Sequence, residues 1–351
     1  MPMGFDCRPF VCYASYSQEE IKLATHLDFE IRVRHRIWYR KLVIEPSPEI
    51  AAAPGILAAR NVERRLPEWF KVPMPSGENY SDLKKRMRGA SLHTICEEAA
   101  CPNIGDCWDR RTATFMILGD TCTRACSYCN VKTGRPTETD WAEPFRLAQT
   151  VKDMDLKYTV ITSVDRDDLE DAGSTIFGMT IKAVHKAVPN CKVEVLIPDF
   201  GGDRESLQRV MDARPEVLNH NIETVRRVFR KVRPLGDYDL SLELLKRAKD
   251  MRPDGVTKSG MMVGLGETMD EVLQTMEDLR ANDCDLLTVG QYLRPSKGHH
   301  PIIKFYHPDE FEKIREAGEA MGFNHVASGP LVRSSYHADE QHEASIAGKA
   351  D

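Results

Sequence analysis

Residues 122 to 130 read CTRACSYCN and bring three thiols together, Cys122, Cys126 and Cys129, in a C-x3-C-x2-C spacing. Thiolates are soft ligands that select zinc, copper(I) or iron–sulfur clusters. A tetrahedral zinc site or an ordinary four-iron cluster takes a fourth ligand, and none follows at short range. One corner is left open, and an open iron can bind a substrate or cofactor instead of only passing electrons. A zinc knuckle closed by a remote His or Cys is the alternative. A second triad lies upstream in HTICEEAACPNIGDCW, where Cys96, Cys101 and Cys107 are spaced C-x4-C-x5-C and again lack a fourth partner. Residues five apart do not share a helix face, so Pro-Asn-Ile-Gly is expected to loop around a metal. Buried structural cysteines are the plainer reading of any one triad; two in succession argue against it.

The rest of the chain sets the context. Six of the ten cysteines fall between 96 and 129, too sparse a set for a disulfide scaffold and too clustered for chance. With 351 residues, 41% of them hydrophobic, the chain can bury a sizeable core. The balance of 48 Lys and Arg against 54 Asp and Glu, a formal charge of -6, argues against a nucleic-acid binder that neutralises many phosphates. No run of eighteen apolar residues exists, and no charged leader precedes an apolar stretch and cleavage site. The expectation is a soluble, cytoplasmic protein with no membrane partner. The opening MPMGFDCRPFVCYASY has little periodicity and reads as a poorly ordered leader.

Something must position the thiols. We divide the chain into an extension (1–66), a segment carrying the upstream triad (67–111), an α/β body (112–330) and a C-terminal segment (331–351). Pro, Gly and Asn between 67 and 80 forbid a long helix there. Apolar runs at 113–119, 158–164, 192–200, 217–223, 258–266, 284–292 and 324–329 alternate with helical periodicity at 142–156, 174–188, 204–213, 237–251, 268–282 and 308–322. Strands apolar on both faces are those of a parallel sheet covered by helices. The fold class is α/β, a partial, open parallel βα barrel of about six βα units, with the chemistry in loops at the carboxyl ends of strands.

A C-x3-C-x2-C loop after the first strand of such a barrel resembles the radical S-adenosylmethionine (SAM) superfamily. The upstream CEEA-x-CPNIG-x-CW, followed by VITSVDRDDLEDAG, EVLIPDF, NHNIETV, VGLGET, GQYLRPS and GPLVRSSYHA, narrows it: residues 67 to 338 closely resemble the lipoyl synthase family. One departure is Ala172, where the family has Gly. The resemblance implies two 4Fe-4S clusters and S-adenosyl-L-methionine as cofactors. It implies that sulfur is inserted at C6 and C8 of a protein-bound N6-octanoyl-lysine by SAM-derived 5'-deoxyadenosyl radicals. Cys122, Cys126 and Cys129 would hold the cluster that cleaves SAM. Cys96, Cys101, Cys107 and Ser335 of the RSSY motif would hold an auxiliary cluster that donates sulfur, with Arg333 shielding it. An oxygen ligand suits iron less well than a thiolate, so the Ser335 corner is the one that lets go. Tyr128 corresponds to the adenine-side aromatic.

Other SAM contacts rest on position alone: Asp171, beside Asp167 and Asp168, and His220 and Asn221 at later strand ends. Helix capping is the plainer reading of the aspartates, and of the serines apart from the resemblance. Phe115, Ile117, Val195 and Ile197 read as core or as cavity wall, and the histidines at 93, 220, 299, 300 and 337 as structural or supporting residues rather than metal ligands. The implied partners are octanoylated lipoyl carrier domains (2-oxoacid dehydrogenase acyltransferase subunits and the glycine cleavage H protein), a ferredoxin or flavodoxin, and an iron–sulfur carrier protein for cluster rebuilding. Lys84, Lys85, Arg86 and Arg88 offer a docking face or simply a solvated one. The rivals are a methylthiotransferase, which would add an RNA-binding barrel, a non-enzymatic iron–sulfur electron carrier and a zinc-bearing nucleic-acid module.

Overall fold

The computed structural model describes residues 66–72, 78–89, 92–99, 101–110 and 112–347. The extension expected over 1–66 lies almost wholly outside the described residues. After a 3-10 turn at Glu68–Phe70 come helix α1 (Glu78–Gly89), strand β1 (His93–Thr94) and two short helices, α2 (Ile95–Glu98) and α3 (Ile104–Asp109). Leu83 and Met87 bury one face of α1, which leaves Lys85, Arg86 and Arg88 in solvent.

The body then alternates as its periodicity requires: β2 (Thr114–Ile117), the small paired strands β3 (Thr121–Cys122) and β4 (Lys132–Thr133), and α4 (Glu143–Asp153). It continues with β5 (Tyr158–Ser163), α5 (Ser174–Ala187), β6 (Lys192–Leu196), α6 (Arg204–Asp212) and β7 (Val217–Asn219). Two helices, α7 (Arg226–Val232) and α8 (Tyr238–Met251), precede β8 (Val256–Val263). The chain closes with α9 (Met269–Ala281), β9 (Leu286–Gln291), α10 (Pro308–Ala320), β10 (His325–Gly329) and α11 (Ala338–Ala347).

The sheet order β1-β2-β5-β6-β7-β8-β9-β10 is parallel from β2 to β10, with β1 antiparallel at one edge. Six βα units thus lead to a seventh parallel strand, and the sheet does not close. Every residue of β2 and β9 is buried, as strands covered on both faces must be. Three expectations need correction. The run 217–223 is strand only to Asn219, because Glu223 turns to φ 66° and keeps one isolated bridge, to Met261. Helix α7, seven residues of RRVFRKV, is too short and basic for its periodicity to show. The PNIG segment is a loop only at Pro102–Asn103, since Ile104 already starts α3.

Inside the sheet, Lys258 Nζ on β8 lies 2.9 Å from Glu194 Oε1 on β6, and both side chains are fully buried. The Tyr158 hydroxyl donates to Glu194 (2.8 Å), and so does the Asn219 amide (3.3 Å). A buried pair of this kind is maintained by mutual satisfaction, and removing one partner strands the other charge. Glu194→Gln is therefore expected to cost about 3–5 kcal/mol in denaturant unfolding of the cluster-free protein. The double variant Glu194→Leu/Lys258→Met should recover most of that loss. A single variant as stable as the parent would show that the pair carries no such constraint.

Candidate active site

The C-x3-C-x2-C loop leaves β2 through Leu118, at φ 69°, whose N–H donates to the buried Glu143 carboxylate of α4 (2.8 Å). Within the loop, the amides of Arg124 (3.4 Å) and Asp165 (3.3 Å) both point at the Cys122 sulfur. Ser127 N donates to Val232 O (2.8 Å) at the end of α7, and Ser127 O accepts from His300 N (2.8 Å). A His299 ring nitrogen sits 3.0 Å from Cys129 O.

Arg124 is the main tie, and no local motif marks its role. Its guanidinium is 6% exposed and forks onto Asp199 after β6 (2.6 and 2.7 Å) and Asp167 after β5 (2.6 and 2.9 Å). Burial alone would raise the Asp199 pKa, but the Arg124 hydrogen bonds and charge overcome it and hold the carboxyl at about 2. The same hydrogen bonds lower Asp167.

The upstream triad sits on α2 and α3. Thr94 caps α2, its hydroxyl accepting from Glu97 N, and Cys107 N donates to Asn103 O as α3 begins. The Asn103 amide donates to Leu331 O (2.7 Å), which joins this segment to the C-terminal one. Burial and mutual repulsion push Cys96 up to about 11 and Cys107 up to about 12. Burial likewise pushes Cys126 to about 12 and Cys129 to about 11. A cation bound at either triad would have to draw off these protons. The buried Trp108 indole N–H has no oxygen or nitrogen partner among the described residues, and it lies where it favours an ionised Cys96. Among the described residues, no three His, Cys, Asp or Glu side chains converge closely enough for one metal ion.

Cys96 and Cys101 of one triad and all three thiols of the other line a single cavity of about 520 Å³. The RSSY segment reaches its wall: Ser334 Oγ donates to Asn221 Oδ1 (3.0 Å), and Ser335 lines both this cavity and a small pocket shared with Cys96 and Cys107. Two glycines admit that segment. A Cβ on Gly290 would stand 2.1 Å from Val332 O, and one on Gly260 would stand 2.8 Å from Ser334 Oγ. Arg333 also lines the cavity, where burial lowers its pKa against the pull of nearby Cys101.

Tyr128 and Asn221 line the cavity; Asp171 does not. Its carboxylate instead accepts from Gly173 N (3.0 Å) and Thr175 N (2.8 Å), capping α5. Just before that cap, Ala172 takes φ 48°, a left-handed conformation where Gly carries no Cβ penalty. His220 borders the cavity, but its ring nitrogens are committed to Ile197 O (2.9 Å) and Ser241 Oγ (3.2 Å), which leaves none for a ligand. Of the four apolar strand-end residues, Ile197 lines the cavity; Phe115, Ile117 and Val195 are core. Glu223 and Arg233 were missed and both face the cavity; burial raises the Glu223 pKa against the pull of Arg233 and Tyr128. The acid in NHNIET was the available signal.

A partial parallel barrel with a C-x3-C-x2-C loop at its mouth defines an enzyme of the radical SAM superfamily, and the family model of that description matches residues 116–279. A second model, the N-terminal domain of lipoyl synthase, matches residues 52–101. A lipoyl synthase of Geobacillus sp. is 55% identical over 294 residues, covering 84% of this chain and 99% of its own. One from Shouchella clausii is 58% identical over 278 residues, covering 79% and 90%. The chain belongs to the lipoyl synthase family. It is an iron–sulfur, SAM-dependent enzyme, and among the described residues no helix is long and apolar enough to cross a membrane.

Two outcomes follow from this geometry. Arg124→Lys keeps the charge but loses the fork, so it is expected to destabilise the protein by about 3 kcal/mol and to lower iron retained after reconstitution. Iron content and melting temperature check this; parental values for both would remove Arg124 from its role. His220 is held at about 4 by burial, below its ordinary value of 6.5. Its contribution to stability is fully present above about pH 6.5 and is lost as pH falls toward 4. Cluster-free His220→Gln should lose less stability over that window than the parent, read by thermal melts at each pH.

Proposed function

We infer that this chain is a lipoyl synthase that inserts sulfur at C6 and C8 of a protein-bound N6-octanoyl-lysine, with SAM as radical source and an auxiliary 4Fe-4S cluster as sulfur donor. The observation that carries this reading is one cavity walled by thiols of both triads. Hydrogen abstraction and sulfur delivery must occur on the same methylene chain, and a shared chamber brings them within reach of it. When bound, the two clusters and SAM supply the abstracting radical and the sulfur.

The chain's own residues supply placement. Cys122, Cys126 and Cys129 hold three corners of the first cluster and leave the fourth for SAM, with Tyr128 on the adenine side. Cys96, Cys101, Cys107 and Ser335 hold the second. Ser335 is the hydroxyl corner, and Ser334, tied to Asn221, fixes the segment that carries it. Arg333, beside Cys101, covers the second site from the cavity. Val160, Leu196, Met262, Leu293 and Val332 make the wall largely apolar, which keeps water from a primary carbon radical. The domain division follows: residues 67–111 bring the auxiliary thiols, 112–330 the barrel, and 331–351 its serine ligand and tail.

The substrate lysine arm belongs to octanoylated carrier domains, for which the exposed cations of α1 are the docking face. A low-potential one-electron carrier and an iron–sulfur carrier protein complete the partners, and the cytoplasm is the compartment that keeps these thiols reduced.

Single substitutions separate the two halves of this chemistry. Cys126→Ala is expected to abolish SAM cleavage together with lipoyl formation. Cys101→Ala should retain some SAM cleavage while forming no lipoyl product. The assay is anaerobic, with reconstituted protein, SAM, dithionite and an octanoylated lipoyl domain, the product weighed by mass spectrometry. Lipoyl product from the Cys101 variant would overturn the assigned sulfur source.

A further inference from the structure

On the reading above, each SAM cleavage consumes one electron, and SAM and substrate would occupy the cavity that Cys122, Cys126 and Cys129 line. The electron must therefore enter from the outer face of the C-x3-C-x2-C loop. Two segments build that face by gripping the loop's main chain. The carboxyl end of α7 accepts from Ser127 N at Val232 O (2.8 Å), with Lys231 O 3.4 Å from Ser127 Oγ. The loop after β9 donates from His300 N to Ser127 O (2.8 Å) and brings His299 to Cys129 O (3.0 Å).

Both segments are cationic. Arg226 and Arg227, at the start of α7, are neutralised by Asp239 (2.8 Å) and Glu271 (2.6 Å). Arg230 and Lys231, one turn on and nearest the thiol loop, are exposed, as is Lys297 on the other segment. Among the described residues, none of these three has a carboxylate within ion-pair distance; the Arg230 guanidinium reaches only Pro234 O (3.3 Å). Lys231 and Arg294 both lower the His300 pKa, behind burial as the larger cause, which places their charges around one residue. Leu235, 65% exposed, adds an apolar contact just past α7. In a chain with a formal charge of -6, unpaired cations gathered here, while their neighbours on the same helix are paired, are a local feature with a local use.

We propose that Arg230, Lys231 and Lys297, with Leu235 among them, form the docking surface for an acidic one-electron carrier protein that reduces the first cluster through the Ser127–Cys129 main chain. This rests on the radical-SAM reading given above. A small patch of unpaired charge with little apolar area suits a transient redox encounter, in which steering sets the on-rate and fast release follows transfer. The electron passes from the reduced carrier to the cluster, so the carrier is oxidised by one electron as the cluster gains one.

The test compares two reductants on the reconstituted full chain. The triple variant Arg230→Glu/Lys231→Glu/Lys297→Glu is expected to slow cluster reduction by a purified acidic carrier, reduced flavodoxin, by about tenfold or more in stopped-flow absorbance. SAM cleavage driven by dithionite should stay within about twofold of the parent. The milder triple Gln variant should fall between, and added salt should slow flavodoxin reduction of the parent but not of the Glu variant. Unchanged flavodoxin kinetics would overturn the proposal. So would an equal loss with both reductants, which would mean that the residues support the cluster loop and not a partner. Failure of the parent chain to cleave SAM with dithionite would instead remove the functional reading itself, and this inference with it.

Discussion

The guanidinium of Arg124 is the interaction on which the rest of the site depends. It lies in the sequence between two of the thiols and in space between two carboxylates at the ends of adjacent strands, Asp167 after β5 and Asp199 after β6. A loop of small and polar residues has little apolar surface with which to order itself. Charge-assisted, bidentate bonds from a nearly buried Arg give it a fixed seat, and they do so from the rigid ends of the sheet. Amides aimed at the Cys122 sulfur then have a defined target.

The second constraint is the return of the C-terminal segment into the barrel mouth. Residues 331–336 enter only because Gly260 and Gly290 carry no side chain where Ser334 and Val332 pass. Asn103 and Asn221 tie that segment to the upstream thiols on one side and to the end of β7 on the other. Ser335 thus comes to the wall it shares with Cys96 and Cys107 from a part of the chain more than two hundred residues away. The open sheet makes this possible, because a closed barrel would leave no gap for it. The family assignment and the geometry agree here: the chain matches the lipoyl synthase N-terminal model just where α1 and the first auxiliary thiols lie.

Much of this was legible in the residues themselves. Period-two and period-3.6 runs gave the βα alternation with boundaries off by a few residues, because strands buried on both faces are almost uniformly apolar. Thiol spacing gave both triads, since a loop ligand set is local in sequence. Reading failed where function depends on what a side chain meets. Position alone offered Asp171 and His220 as cofactor contacts; Asp171 is the helix cap that was its plainer reading, and both ring nitrogens of His220 are bonded within the chain. Arg124 and Arg233 carry no local pattern, because the carboxylates they meet lie in loops after other strands.

By itself, then, the sequence determined the fold class and the position of the two thiol triads, which follow from hydrophobic period and short-range spacing, while the family came from the resemblance of its motifs. The tertiary structure alone decided that thiols of the two triads share one chamber, that Ser335 stands at its wall and beside Cys96 and Cys107, and that the exposed cations Arg230, Lys231 and Lys297 lie on the two segments that hold the thiol loop. The reason is physical: contacts between residues a hundred or more positions apart are set by strand order and by the few glycines that let one backbone pass another, and neither leaves a periodic signal along the chain.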